Sequence, residues 1–235
     1  SDALASIGAT SSLTFLFFAI CNGFASGGGI IVAQSFGRGD VKKLKNCITN
    51  TGYIMTCLPL AVGIPAFFLS KPLLILLNTP ENILQDALVY MRLMCVGLLF
   101  ISVYNYISSM LRALGDSKTP LYFLIFACIL NILLDLLFVC VFKQGVFGVG
   151  IATLISQLIS NILCLLYAFK FNIYFKFSKE DFKFNKEIFI QTTKLGVPLS
   201  LQFSLIAISC MALQRVVNTF GAVAVAAFTA TSRIE

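Results

Sequence analysis

The chain has 235 residues, 58% hydrophobic and only 11% charged, with a net charge of +7 and a mean hydropathy of +0.93. A soluble domain carries about 25% charged residues, and it cannot hide several apolar runs each long enough to cross a bilayer core of ~30 Å. The composition excludes an ordinary soluble domain and points to an all-α polytopic membrane protein.

The chain begins at Ser1, with no basic n-region or cleavage site, so no signal peptide is expected. Both ends read as internal to a longer protein. Six complete spans and part of a seventh are predicted, at 8–35, 48–70, 88–111, 120–142, 147–169, 196–217 and from Ala222 onward. The runs are long and do not alternate, so they are helices rather than barrel strands.

The first span holds Gly23, Gly27, Gly28 and Gly29, which include a G-x-x-x-G pair that permits close helix approach. Gly37-Arg38-Gly39-Asp40 closes it. Pro59 and Pro65 should kink the second span. The third carries Asn105 and Ser108, and Gly115-Asp116-Ser117 closes it before Pro120 opens the fourth. Gly145, Gly148 and Gly150 are expected to make a tight turn. The fifth span carries Thr153, Ser156, Gln157 and Asn161. The segment 170–194 interleaves seven aromatic residues with lysines, a pattern suited to the membrane interface and to a linker between two bundles. The sixth span carries Gln202, Gln214 and hydroxyls, and no acid.

Ala3–Ser11 matches Ala224–Ser232 with five identities in nine residues at an offset of 221. Six spans lie between the copies, so both have the same orientation, as in transporters built from two parallel bundles. Twelve basic residues fall on one side (Arg38, Lys42, Lys43, Lys45, Arg112, Lys118, Lys170, Lys176, Lys179, Lys183, Lys186, Lys194), against Lys71, Arg92, Lys143 and Arg215 on the other. The positive-inside rule places the twelve in the cytoplasm of a multi-pass plasma-membrane protein. Contact with lipid is the simpler account of the charge, and no nucleic-acid partner is expected.

Seven of the eight cysteines lie in apolar spans and none forms a C-x-x-C pair. With no His present, they read as small hydrophobes and no transition-metal site is expected. No nucleophile elbow, Walker A loop or Rossmann fingerprint appears, so the chain is not read as an enzyme or as an ATP-driven pump, and no cofactor is expected.

Of the ten acids only Asp135 sits deep in a span. At mid-bilayer a charge costs ~2.5–3.5 kcal/mol on insertion scales, so it should face the bundle interior. Asn131 precedes it by one helical turn on the same face. One reading is an ion or proton site, in which the carboxyl exchanges H⁺ or holds Na⁺ with neutral oxygens. The other is a polar clamp between helices.

Asp2–Gly8 leading into a span, then Ala33-Gln34-Ser35-Phe36-Gly37-Arg38-Gly39-Asp40, resembles the second helix and following loop of multidrug and toxic compound extrusion (MATE) transporters. Arg112–Pro120 is similar to that family's loop between helices four and five, and Leu195-Gly196-Val197-Pro198 to the start of helix seven. The resemblance covers the chain as helices two to seven and the start of eight. It implies a two-lobe antiporter that exports amphipathic or cationic drugs or metabolites in exchange for H⁺ or Na⁺ by alternating access, expected to work as a monomer when full-length.

Residues 1–169 would then be most of the first lobe, 170–194 a cytoplasmic linker and 195–235 the start of the second lobe. In the DinF-like and archaeal branches the cation site uses an Asn and an Asp on helix five, a spacing that Asn131 and Asp135 meet. A helix-six Thr falls on Thr153. A helix-four Asn falls on Asn105, with Ser108 as the alternative. The family's helix-one Asp has no counterpart here, nor does the helix-seven acid of some branches. Gln157 and Gln202 are further candidates for lining the substrate path. A lipid-linked oligosaccharide flippase and a non-transporting channel or scaffold are the competing readings. The flippase is disfavoured because no Arg or Lys lies deep in the spans.

Overall fold

A bilayer core holds no water to satisfy backbone hydrogen bonds, so long apolar runs must satisfy them as helices. The computed structural model describes residues 2–76 and 81–219, which form seven α-helices. These are α1 (Asp2–Gly37), α2 (Val41–Phe68), α3 (Ser70–Leu76), α4 (Glu81–Ala113), α5 (Lys118–Asp135), α6 (Gly145–Phe171) and α7 (Lys186–Thr219). Among the described residues, five helical runs are long and apolar enough to cross a membrane. They occupy the first five expected spans, and α7 covers the sixth. The expected seventh span, and the second copy of the repeat, lie outside the described residues.

The glycine punctuation works as the sequence suggests at two helix ends. Gly39 (φ 71°) lets the chain turn after α1, where the Asp40 N–H donates to the Ser35 carbonyl at 3.2 Å. Asp40 then caps α2 by accepting from the Lys43 N–H at 3.0 Å. Gly115 (φ 91°) does the same after α4, and Asp116 accepts from the Thr119 N–H at 3.1 Å to start α5.

Two local expectations need correction. The polar residues ahead of 48 belong to α2, and the stretch past Phe68 breaks off as the short helix α3, whose buried Leu74 packs under Ala87 and Met91 of α4. The turn between the fourth and fifth spans is made by Lys143 (φ 53°) and Gly145 (φ 56°). Gly148 and Gly150 lie inside α6 instead, where a β-carbon would press on Phe138 and Leu93. Of the segment 170–194, Lys170 and Phe171 end α6, Ile173–Phe175 and Lys179–Phe182 form short 3-10 turns, and α7 begins at Lys186.

α1 is the centre of the bundle, packed on α2, α4 and α7. Lipid is as apolar as leucine, so close fit and interhelical hydrogen bonds hold such helices together. A β-carbon on Gly23 would overlap Ser200 of α7, one on Gly28 would overlap Thr51 of α2, and one on Gly29 would overlap Ser109 of α4. One on Gly27 would come within 2.8 Å of the Gly196 nitrogen of α7. Hydroxyls close the same contacts by donating to backbone carbonyls, Ser109 to Ala25 and Ser200 to Ile20, each at 2.9 Å. In α2, Pro59 has no N–H for the Met55 carbonyl one turn earlier, and Ser102 of α4 donates to that carbonyl at 3.1 Å instead.

The connection from α6 to α7 is strapped to the first turns of α2. Thr49 donates to the Asp181 carbonyl, Asn50 to Lys183 (3.2 Å) and Tyr53 to Phe182 (2.7 Å), while the Asn185 N–H donates back to Asn50 at 2.8 Å. Phe175 is buried in this strap, whereas Phe182, Phe184 and Phe189 stay exposed. The strap turns on Asp181, whose carboxylate accepts from the Ser178 N–H (2.7 Å) and hydroxyl (2.9 Å). The Ser178 backbone bond, with help from its hydroxyl, Lys45 and Lys42, holds the Asp181 carboxyl below the usual aspartate range.

Two outcomes follow. Gly27→Leu should destabilise the protein by about 1–3 kcal/mol through overpacking at Gly196. It would be read as a lower melting temperature than that of Gly37→Leu, where nothing lies within 4 Å. Asp181→Asn should loosen the strap, giving several-fold faster tryptic cleavage at Lys179 and Lys183. Because the folded-state pKa is lowered, the wild-type strap holds above the ordinary aspartate range and releases as pH falls through the lowered value. Hydrogen exchange across 176–185 at stepped pH would follow that release.

Candidate cation site

Asp135 is the last residue of α5, and the helix continues from Leu136 to Val141 as a π-turn. The Leu136 N–H is shared between the Ile132 and Leu133 carbonyls, and the Phe142 N–H reaches back to Leu137 at 3.1 Å. Such π segments are rare and occur often at functional positions. Asp135 therefore stands where the helical repeat changes.

α5 packs mainly on α6, and of its own residues only Pro120 and Ala127 are buried. Ile129, Ile132, Leu133 and Leu136 face outward, as lipid-exposed side chains do. The opposite face carries the polar pair. Asn131 Nδ2 donates to Thr153 Oγ1 of α6 at 3.4 Å, and Thr153 donates to the Val149 carbonyl at 3.0 Å. Asp135 is half-buried, and its Oδ1 is buried with no hydrogen-bond partner among the described residues. Tyr90 of α4 lies within electrostatic range of this carboxylate.

Asn131 and Thr153 thus meet across α5 and α6, with Asp135 one turn along on the same face of α5. Among the described residues no three His, Cys, Asp or Glu side chains cluster as a metal site. The seven cysteines whose side chains are described are free: Cys21, Cys47, Cys95 and Cys164 buried, Cys57, Cys128 and Cys140 exposed. Gln157 is half-buried one turn beyond Thr153 on α6.

Asn105 and Ser108 are not brought to this pair. Gly97 of α4 packs against Leu154, next to Thr153, so Asn105 lies about 12 Å farther along the helix at 1.5 Å rise per residue. Ser108 lies farther still and accepts from the Arg112 guanidinium at 2.7 Å. Gln202 is on α7, exposed in a groove with Pro198, Leu201, Leu205, Ile206 and Ser209. That Tyr90 stands within electrostatic range of Asp135 is what sequence reasoning missed, because a tyrosine in an apolar helix gives no local sign of a carboxylate on another helix.

The MatE family model matches residues 1–137. The chain is 37% identical over 232 residues to the probable multidrug resistance protein YpnP of Bacillus subtilis (strain 168), covering 98% of this chain and 51% of that protein. It is 30% identical over 240 residues to the probable multidrug resistance protein YoeA of the same organism, covering 99% and 52%. The fold matches a solved inward-facing conformation of a multidrug resistance MATE family transporter of the MOP superfamily, with a TM-score of 0.86 and 25% identity over 99% of this chain and 53% of that one. The chain spans about half the length of the curated relatives it matches. With the family model matched over more than half the chain and such identity along nearly its whole length, this chain belongs to the MATE family.

Proposed function

We propose that the chain is part of a secondary antiporter that exports amphipathic or cationic drugs or metabolites in exchange for H⁺ or Na⁺, with Asp135 as the coupling carboxylate. The observation that carries this reading is the buried Asp135 Oδ1, unpartnered at an α-to-π junction one turn from the Asn131–Thr153 bond. A polar clamp would spend that oxygen on a donor from a neighbouring helix. An ion site keeps it available. The multidrug resistance names carried by the two Bacillus proteins support the export reading.

In this scheme a proton on Asp135, or Na⁺ held by Asp135, Asn131 and Thr153, neutralises the carboxylate and favours one packing of α5 on α6. Release to the other side restores the charge and the alternative packing. A cation can drive the protein between two arrangements only by as much as it binds them differently. A change in helical repeat at the ligand itself supplies such a difference. Residues 1–169 would form most of one lobe, 170–194 the cytoplasmic linker and 195–235 the start of the second lobe. Substrate would pass between the lobes, with Gln157 and Gln202 lining the path.

In the full-length protein, Asp135→Asn should abolish ion-driven efflux while leaving expression and melting temperature unchanged. Undiminished transport in proteoliposomes under a pH or Na⁺ jump would overturn the assignment. Thr153→Val should leave transport measurable but raise the cation concentration needed for half-maximal rate several-fold.

A further inference from the structure

We propose that the end of the bundle remote from Asp135 holds a second site, a cavity that binds a phosphate-bearing anion and bridges α1, α2 and α7. A cavity of about 350 Å³ is lined there by Gln34, Ser35 and Arg38 at the end of α1, Lys43 of α2, and Gln191 and Lys194 of α7. Ile31 and Leu195 close its inner side.

The lining contains three cations and no carboxylate. Among the described residues, the side chains of Arg38, Lys43 and Lys194 make no hydrogen bond or ion pair. Two acids lie close by: Asp40, which caps α2 through the Lys43 N–H, and Glu187 line an adjoining depression that shares Lys43 and Gln191 with the cavity, and neither lines the cavity itself. Three like charges around one concavity repel one another, and an anion between them turns that repulsion into attraction. Two amides and a hydroxyl supply further donors, a set suited to the several oxygens of a phosphate group.

The position selects the ligand further. The cavity lies where the apolar helices end, and Ile30, Ile190 and Val197 are exposed next in sequence or one turn away. A phospholipid headgroup could therefore sit in the cavity with its chains along that apolar surface. A free phosphate ester meets the same donors without the chains.

A bound phosphate would hold α1 to α7 just beyond the seam where Gly23 and Gly27 meet Ser200 and Gly196. It would restrain the one contact through which α7 is joined to the rest of the bundle most extensively. The site does not depend on the coupling assignment, since its groups lie at the opposite end of α1 and α2 from the region level with Asp135.

The test uses the full-length protein in detergent. Melting temperature and native mass spectra are followed on adding dioleoyl phosphatidylglycerol, dioleoyl phosphatidylcholine or inorganic phosphate. Phosphatidylglycerol should raise the melting temperature and remain as a bound adduct, and phosphatidylcholine, which carries its own cation, should do so less. The double variant Arg38→Gln/Lys194→Gln should weaken that binding by about ten-fold or more. Lys71→Gln, at the other end of the helices, and Asp135→Asn should not.

An equal, variant-sensitive shift with inorganic phosphate would also support the site and identify a soluble anion as sufficient. Binding of both lipid and phosphate that is unchanged in the double variant would overturn the proposal, as would no binding of either. If the double variant does not fold, Lys43→Gln and the charge-conserving Arg38→Lys give the same comparison, with loss expected in the first and retention in the second.

Discussion

The bundle depends on how closely other helices can approach α1. Within two turns, Gly23, Gly27, Gly28 and Gly29 present bare backbone to three partners: Ser200 and Gly196 of α7, Thr51 of α2 and Ser109 of α4. Helices that touch through glycine bring their backbones together, where dispersion and hydroxyl-to-carbonyl bonds accumulate. In lipid this replaces the hydrophobic driving force that would assemble the same helices in water. Larger side chains on α1 would push three neighbours away at once. The bonds from Ser109 to Ala25 and Ser200 to Ile20 would then lengthen together.

Much of this was legible from residue types whose physics is local. Glycines at 39 and 115 mark helix ends because only they take a left-handed backbone cheaply. The G-x-x-x-G pair announces a close contact, although not with which helix. Asn131 and Asp135 share a helix face by spacing alone, and Thr153 comes to that face because α5 and α6 pack side by side. What escaped reading depends on partners far away in sequence. Gly148 and Gly150 look like a turn, but they serve as contact surfaces for Phe138 and Leu93. Asn105 and Ser108 look equivalent to other mid-span polar residues until the register of α4 against α6 places them near the other end. The strap at 176–185 looks like a free interfacial loop, because Thr49, Asn50 and Tyr53 carry no mark that they donate to carbonyls more than a hundred residues away.

The strap and the glycine seam act on neighbouring parts of the same joint. α7 reaches the bundle in two ways, through Ser200 and Gly196 on α1 and through the connection held to α2. At the seam the backbones of α1 and α7 meet at Gly27 and Gly196, whereas the strap is held by side chains of α2 bonded to backbone groups of the connection. The cationic cavity lies between them, bounded by side chains with freedom to move. The joint is stiff where backbone meets backbone and adjustable where Arg38, Lys43 and Lys194 face one another.

The distribution of interhelical bonds bears on where the molecule can change shape. Tyr104 ties α4 to the start of α5 at Pro120, Ser160 ties α6 to Phe123, and Asn161 ties α6 to Phe100 of α4. Beyond Ala127, the described side-chain bond from α5 to another helix is the long one from Asn131 to Thr153. The first half of α5 is therefore anchored by two of these bonds, at Pro120 and Phe123, and the second half by one longer one, just before the helix changes its repeat. Asp135 sits at that sparsely bonded end of α5. In the coupling role proposed for it, neutralising Asp135 would act against a 3.4 Å hydrogen bond and the contacts of α5 with α6, whereas a charge on α1 would act against the glycine-packed core.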